Sequence, residues 1–381
     1  MNAVSMLRRW AAQEDFAAVR EGCIDLDAGD SAVQVLRALA EVRLGDASLS
    51  RHLLDTLERE GLDSAAQIDL AAVHIALGEV TAASQLLERQ LLNPQDIDAS
   101  TRALLLARLA SCRRREGRPA AAIALFEASL AQQPDIAVSL KLLQLYRESN
   151  QIDESIACLS KAQQFFEESK ASWPQDLRVA SARRLRATQL DIWLDRDEIA
   201  AAEHWLDYQR DQLDEEEWCR LLRDWARRLL TRDQHSQAEE CLRSGLSQYP
   251  ENLSLHAELA TIAQVLGRTR QAVALLHRAI RIAEATNLPT DGYWTRLSNV
   301  ALTISLPLAR HAAELARDEF NRSNELKSSA STKRRLTTEL ALAAVEVEER
   351  QYEAAESRYR SVLAERPRWV PALEGLGHLC M

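Results

Sequence analysis

The sequence predicts an all-α fold, a solenoid of antiparallel helix pairs, and the strongest observation behind it is an internal repeat. Two consecutive blocks align at a spacing of 34 residues, so that Ala238 and Leu242 of one block correspond to Ala272 and Leu276 of the next. A fixed period of this length is typical of helical repeat proteins, in which each unit packs only on its neighbours.

Composition and proline positions support the same fold. The chain has 381 residues with only 11 glycines, and no segment shows the period-two alternation of apolar residues that indicates a strand. All nine prolines fall in turns or at the ends of predicted helices, where a missing N–H costs nothing. They are Pro94, Pro119, Pro134, Pro174, Pro250, Pro289, Pro307, Pro367 and Pro371.

The repeat extends in both directions and predicts one solenoid over residues 1–381. Blocks begin near residues 31, 64, 103, 136, 182, 219, 253, 291, 336 and 370. In order, we expect degenerate repeats at 1–63, better-matching repeats at 64–168 and a longer-period repeat at 169–218. Strong repeats at 219–286 follow, then a longer-period repeat at 287–335, a repeat at 336–369 and an incomplete one at 370–381.

Each block carries small and large apolar residues at fixed positions, counted from its first residue. In the block that starts at 103, Gly117 stands at position 15, Ala122 at position 20 and Phe126 at position 24. Small residues are needed where two helices of a pair cross closely, and large ones fill the space beside them. The weaker block from 182 is expected to place Ala201 and Trp205 at those last two positions.

This order of residue types resembles the tetratricopeptide repeat, a helix–turn–helix unit of 34 residues, in an array of about ten repeats. The resemblance implies a right-handed superhelix whose first helices line a concave groove, mainly through positions 2, 5, 9 and 12. Those positions predict a peptide-binding groove. Its residues are Arg114, Arg147, Arg186, Trp193, Arg220, Arg223, Arg227, Thr261, Gln264 and Asn299, with Thr295 beside them.

The predicted groove is rich in arginine although the whole chain carries a net charge of −10. Arginine guanidinium groups bind carboxylates in a bidentate manner, which indicates an acidic, extended or helical peptide as ligand. The alternative is that these arginines pair with Asp and Glu of neighbouring helices. The sequence leaves both interpretations open.

No sequence pattern indicates catalysis, a cofactor or a metal site. There is no H-E-x-x-H, no Cys/His cluster, no phosphate-binding glycine loop and no G-x-S-x-G. The six cysteines are scattered without C-x-x-C spacing, which favours reduced structural thiols. The acidic net charge disfavours nucleic acid as a partner, and the sequence has neither a membrane-spanning run nor a signal peptide. We therefore predict a cytoplasmic protein.

The predicted function is a non-catalytic scaffold that binds a protein or peptide partner in the groove. One alternative is the substrate-recruiting N-terminal region of a larger glycosyltransferase or sulfotransferase, and another is a regulator that binds a small molecule or nucleic acid. The last helix leaves an apolar stripe at Leu373, Leu376 and Leu379. A stripe of this kind needs a cover, which a longer chain or a homodimer through this helix would supply.

Overall fold

The fold is all-α, as predicted. The computed structural model describes residues 3–12, 16–24, 26, 30–57, 62, 64–92, 98–322 and 329–379. Within these residues the chain forms 21 α-helices and a short 3-10 turn at Lys170–Ser172, and it contains no strand. The chain divides into two compact units, residues 1–197 and 198–381, which are described separately below.

The first unit contains eleven helices. They are α1 (Ala3–Ala12), α2 (Phe16–Ile24), α3 (Ser31–Leu44), α4 (Ala47–Leu57), α5 (Ser64–Leu77), α6 (Val80–Leu92), α7 (Ala99–Arg115), α8 (Pro119–Gln132), α9 (Ile136–Glu148), α10 (Ile152–Ser169) and α11 (Gln175–Asp195). Consecutive helices pack on each other throughout this unit.

The second unit contains ten helices. They are α12 (Ile199–Arg210), α13 (Glu215–Leu230), α14 (His235–Gln248), α15 (Leu253–Val265), α16 (Thr269–Ala285), α17 (Asp291–Ala301), α18 (Leu306–Arg322), α19 (Ser329–Glu348), α20 (Tyr352–Glu365) and α21 (Val370–Leu379). No described proline interrupts a helix, because each one lies in a loop or within the first two residues of a helix.

The turn that joins an odd-numbered helix to the next even-numbered one has the same backbone conformation in most repeats. After α7, the amide of Gly117 bonds to the carbonyl of Arg114 and the amide of Arg118 bonds to the carbonyl of Arg113, which closes the helix end. The residue at position 15 has a left-handed φ, between +57° and +107°, which favours Gly, Asn and Asp. These residues are Gly45, Gly78, Gly117, Asn150, Asp233, Gly267 and Arg350.

The repeat that begins near 182 is displaced by one residue from the expected register. Its left-handed turn residue, Asp197, stands at position 16 rather than 15. In agreement, α12 buries Ala202 and Leu206, whereas Ala201 is exposed and Trp205 is only half-buried. The expectation that Ala201 and Trp205 pack in the core is therefore wrong. The reason is the length of α11. This helix of 21 residues begins well before the repeat does, so its start does not mark the first position of the repeat.

Small residues occupy the close helix crossings that the repeat requires. A Cβ atom added to Gly245 of α14 would lie 2.8 Å from a methyl carbon of Leu222 on α13 and 2.9 Å from one of Leu255 on α15. The corresponding residue one repeat later, Ala279, is fully buried. A side chain at position 245 would therefore push against leucines of both neighbouring helices, so packing, and not backbone conformation, favours a small residue there.

Successive odd-numbered helices also pack on each other. In the first unit α1 packs on α3, α3 on α5, α5 on α7, and α9 on α11, and in the second unit α13 packs on α15, α17 on α19, and α19 on α21. Side chains that point away from the even-numbered helices therefore meet across this layer. We call it the odd-helix face of each unit. Every predicted groove residue belongs to an odd-numbered helix.

Candidate functional site

Two predicted groove arginines of the first unit are bound to carboxylates of the next odd-numbered helix. Arg114 on α7 donates from Nη2 to Glu148 Oε1 on α9 over 2.7 Å. Arg147 on α9 donates from Nε to Asp195 Oδ2 over 2.6 Å and from Nη1 to Asp191 Oδ2 over 3.1 Å, both on α11. For these two arginines, pairing with neighbouring helices is the observed arrangement.

Arg186 and Trp193 lie on α11, two turns apart, and both are half-buried. Their selection depended on positions 5 and 12 of the repeat that begins near 182. The one-residue displacement of that repeat moves them to positions 4 and 11. It places Asp191 at position 9, where the aspartate binds Arg147. The register that selected Arg186 and Trp193 as groove residues therefore does not hold in the structure.

In the second unit, Arg220 and Arg227 of α13 are also paired. Arg220 donates to Glu216 over 2.5 Å and to Glu217 over 3.3 Å, both on its own helix. Arg227 donates from Nε and from Nη2 to the Glu258 carboxylate on α15. The hydrogen bonds that Arg227 donates to the Glu258 carboxylate raise the pKa of Arg227, which keeps this guanidinium charged. Glu258 itself is buried.

Arg223 of α13 differs from its neighbours because it has no such partner. Among the described residues it makes no hydrogen bond and no ion pair within 4 Å, and its Nε is buried without an acceptor. Burial lowers the pKa of Arg223, an effect that the nearby Glu258 carboxylate opposes and the Arg227 charge reinforces. A half-buried guanidinium with unused donors is an electrostatic arrangement that an added anion would stabilise.

Arg223 lines a cavity of about 270 Å³ that we call the Arg223 cavity. Its wall also includes Arg296 of α17 and Arg334 of α19. Arg334 donates to Asp291 Oδ1 over 3.1 Å, and an Arg296 nitrogen lies 3.8 Å from Glu258. The two carboxylates that line the cavity, Glu258 and Asp291, thus already have cationic partners, whereas the charge of Arg223 is not paired.

A hydroxyl group completes the wall of the Arg223 cavity. Tyr293 of α17 lines the cavity together with Ser254 of α15. Burial raises the pKa of Tyr293, while the charges of Arg296 and Arg223 act in the opposite direction. The phenol remains protonated at neutral pH, and its O–H is available as a donor. The cavity therefore combines guanidinium and hydroxyl donors. Carboxylate and phosphate groups accept hydrogen bonds from both kinds of donor.

The neutral groove residues Thr261, Gln264 and Asn299 come together in the structure. They line a second cavity of about 280 Å³, to which Arg296 also belongs. Because Arg296 lines both cavities, the polar lining of this second cavity adjoins the Arg223 cavity. Thr295 is different: it is buried, and its hydroxyl donates to the carbonyl of Asp291 over 2.8 Å. The expectation that Thr295 lines the groove is wrong.

Three charged residues of this region were not selected from the sequence. Glu258 and Arg296 both stand at position 6 of their repeats, opposite in charge and one repeat apart, and that recurrence is a signal that could have found them. Arg334 lies before the expected start of its repeat at 336, because α19 begins at Ser329. No pattern in the sequence indicated that extension of the helix.

The apolar stripe of the last helix is partly covered within its own unit. Leu376 and Leu379 of α21 pack against the cluster that contains Tyr359 and Ala372. Leu373 is 47% exposed. Of the three residues of the stripe, Leu373 is therefore the exposed one.

The described cysteines are unpaired thiols within the helices. Cys23, Cys112 and Cys219 are buried, and Cys158 and Cys241 are half-buried, whereas Cys380 lies outside the described residues. Burial raises the pKa of Cys219 to about 12. In the part of the chain that the structure covers, no group of three or more His, Cys, Asp or Glu side chains is arranged to hold a metal ion.

None of the described helices has the length and apolar character needed to cross a membrane.

His256 of α15 is buried, and its Nε2 lies 2.8 Å from the carbonyl oxygen of Pro250. His277 packs edge-on against Trp294. Both histidines are thus packed against other protein groups.

One segment of the chain matches a known repeat family. Residues 105–137 match the family model "Tetratricopeptide repeat", which corresponds to α7, the turn at Gly117 and α8. No curated protein sequence matches the chain.

Several solved structures align with the chain at low sequence identity. Yeast Tom70 is 12% identical, covers 99% of this chain and 87% of its own, and has a TM-score of 0.44. A thermophilic TPR protein of Thermus thermophilus is 20% identical, covers 48% of this chain and 97% of its own, and has a TM-score of 0.38. The APC/C hetero-tetramer Cut9-Hcn1 is 12% identical, covers 100% of this chain and 97% of its own, and has a TM-score of 0.33.

Proposed function

We propose that this tetratricopeptide-repeat protein is a non-catalytic, cytoplasmic interaction scaffold that binds an acidic peptide on the odd-helix face of its second unit. The observation that carries the proposal is Arg223. Its guanidinium has no carboxylate partner among the described residues, whereas Arg114, Arg147, Arg220 and Arg227 are each bonded to a carboxylate.

The energetics favour an anion at this place. A polar group that is buried without a partner costs about 1–3 kcal/mol, and that cost is recovered when a partner is supplied. The guanidinium of Arg223 loses hydration through burial, and Arg227 adds a second positive charge nearby. A carboxylate that entered the Arg223 cavity would accept hydrogen bonds from the Arg223 guanidinium and be attracted by the charge of Arg227. The bond would be charge-assisted and could be bidentate.

The neighbouring cavity suits the rest of an extended peptide. Gln264 and Asn299 carry amide side chains, which donate and accept hydrogen bonds in the same way as a peptide backbone does. All three neutral residues, including Thr261, are exposed. We therefore place one acidic side chain of the ligand in the Arg223 cavity and its adjacent backbone along Thr261, Gln264 and Asn299.

The alternative prediction, a substrate-recruiting region of a glycosyltransferase or sulfotransferase, would use this same face to hold the substrate protein. It differs in what lies beyond this chain, and not in the recognition chemistry of Arg223. The experiment below therefore tests the recognition step that both versions share.

The test uses fluorescence anisotropy with a labelled twelve-residue peptide of alternating Glu and Ser, and with the same peptide carrying Gln in place of Glu. We expect the whole chain to bind the Glu peptide more weakly as salt is added, and not to bind the Gln peptide. Loss of one charge-assisted hydrogen bond in Arg223→Gln should weaken binding about tenfold or more.

The matched control is Arg243→Gln. Arg243 lies on the even-numbered helix α14 and is bonded to Glu239 of its own helix, so this change removes the same charge from the same unit but from another face. We expect its affinity to stay within about twofold of the unmodified chain, since a distant surface charge acts weakly. Equal loss in both variants, or equal binding of the Glu and Gln peptides, would contradict the proposal.

A further inference from the structure

A cavity in the first unit is lined by helices α8, α9 and α10, and none of the predicted groove residues belongs to its lining. It measures about 670 Å³, which is within the range of ligand-binding sites. Helices α8 and α10 form its two walls and α9 forms its floor. Each wall helix packs on α9 far more than on the other wall. We call it the α8–α10 groove.

The floor and part of the walls of this groove are apolar. Leu142 and Tyr146 of α9 are buried beneath it, and Leu130 of α8 and Phe165 of α10 are half-buried at its sides. The Tyr146 hydroxyl donates to the Glu127 carboxylate, which fixes that carboxylate at the edge of the apolar floor. The groove thus offers apolar contacts at its bottom and a held negative charge at its rim.

The length of the groove matches a short helix. On α10 its lining runs from Glu154 to Glu168, which corresponds to about 21 Å at a rise of 1.5 Å per residue. A helix of about 14 residues has the same length. A channel between two helices that share a third as floor is the geometry in which an amphipathic helix places its apolar face.

The charges around the groove favour a partner of positive charge. Three carboxylates line it, those of Glu127, Glu154 and Glu168, against the single ammonium of Lys161. Opposite charges across a contact surface favour the correct partner and disfavour a like-charged one. An acidic helix would meet repulsion here, whereas Lys or Arg side chains on the flanks of an apolar face would meet the rim carboxylates.

We propose that the α8–α10 groove is a second binding site, which takes an amphipathic helix of a partner protein with basic residues on both sides of its apolar face. The site is independent of the Arg223 cavity, since it belongs to other helices and selects the opposite charge. Failure of one site to bind its peptide would therefore leave the result for the other unaffected.

The test uses a labelled sixteen-residue peptide with Leu and Phe at helical spacing and Lys elsewhere, measured by anisotropy against the whole chain. We expect saturable binding that is lost when Glu replaces Lys in the peptide. Ala157→Arg should weaken binding at least tenfold, because Ala157 is exposed, lines the groove, and would gain a bulky cation. Ser160→Arg on the same helix is the control, since Ser160 is exposed but does not line the groove.

A charge-reversal pair tests the rim. Asp153 and Glu154 both lie in the first turn of α10, so reversal of either removes the same interaction with the helix dipole, but only Glu154 lines the groove. We expect Glu154→Lys to weaken binding of the Lys peptide about threefold or more and Asp153→Lys to weaken it less. Absence of saturable binding, equal effects of Ala157→Arg and Ser160→Arg, or preference for the Glu peptide would overturn the proposal.

Discussion

Arg147 in the first unit and Arg223 in the second are both half-buried arginines of the odd-helix face, but their surroundings differ. Arg147 is bonded to two aspartates of the next odd-numbered helix, Asp191 and Asp195. Spaced four residues apart, they share one face of α11. Arg223 faces α15, whose carboxylate at Glu258 is already bonded to Arg227. One arginine is therefore neutralised within the fold and the other is not.

The difference teaches that the carboxylates of the next odd-numbered helix decide whether an arginine of this face is paired within the fold. A guanidinium held by two carboxylates must give up those bonds before it can bind a ligand, and the exchange yields little free energy. A guanidinium without a partner has no such bonds to lose. The number of arginines on a face is thus a poor guide to ligand binding, and their pairing is a better one.

The largest effect is expected from Glu258→Gln. This change would remove the carboxylate partner of Arg227 and Arg296, so that two further arginines would lack it, as Arg223 does. Glu258 is buried, receives two hydrogen bonds from Arg227 and lies 3.8 Å from an Arg296 nitrogen. Loss of its charge should lower the free energy of unfolding by roughly 2 kcal/mol, as measured by urea denaturation. Affinity for the Glu peptide should rise, because an internal competitor for the guanidinium groups has been removed.

The control for that variant is Glu251→Gln, which removes one negative charge from an exposed loop residue of the same unit. We expect little change in stability or in peptide affinity from it. If Glu258→Gln lowered the affinity for the Glu peptide, Glu258 would be positioning the arginines for the ligand instead of competing with it, and the contrast drawn above would fail.

A smaller effect, and of the opposite kind, is expected from Arg147→Gln. The change removes the guanidinium that binds both Asp191 and Asp195, and both carboxylates are mostly shielded from solvent. Denaturation should show a loss of about 1 kcal/mol, while affinity for the Glu peptide stays the same within error. Arg178→Gln, at an exposed position of α11, is the matched control. A clear loss of affinity in Arg147→Gln would return Arg147 to the binding site.

The fold could be predicted from the sequence because the repeat fixes local chemistry at each unit. Gly117, Asn150, Asp233 and Gly267 recur at position 15, and each adopts the left-handed conformation that ends an odd-numbered helix. Such signals are local, since they depend on a few residues on either side. The error at the repeat near 182 arose where this signal is weakest, at an aspartate that follows an unusually long helix.

The site could be predicted only in part, because pairing is not local. Arg147 and Asp195 are 48 residues apart, and Arg227 and Glu258 are 31 apart. Position 9 or 12 of a repeat indicates which face a side chain occupies, but not which charge approaches it from the next repeat. That is why the sequence found Arg223 and Arg227 together, and could not tell that only one of them is paired.

The smallest effect concerns His256, which lies on α15 two residues before Glu258. The experiment tests whether the neutral imidazole of His256 stabilises the folded chain. Burial lowers the pKa of His256, and its Nδ1 has no hydrogen-bond partner among the described residues. The unfolded chain takes up a proton as the pH falls below about 6.5, whereas the folded chain does so only at lower pH. Stability should therefore be level above this value and decline below it, by under about 1 kcal/mol at pH 6. His256→Gln should flatten that decline, and His204→Gln, at an exposed position, should not. Identical pH profiles for His256→Gln and the unmodified chain would show that His256 is not the titrating group.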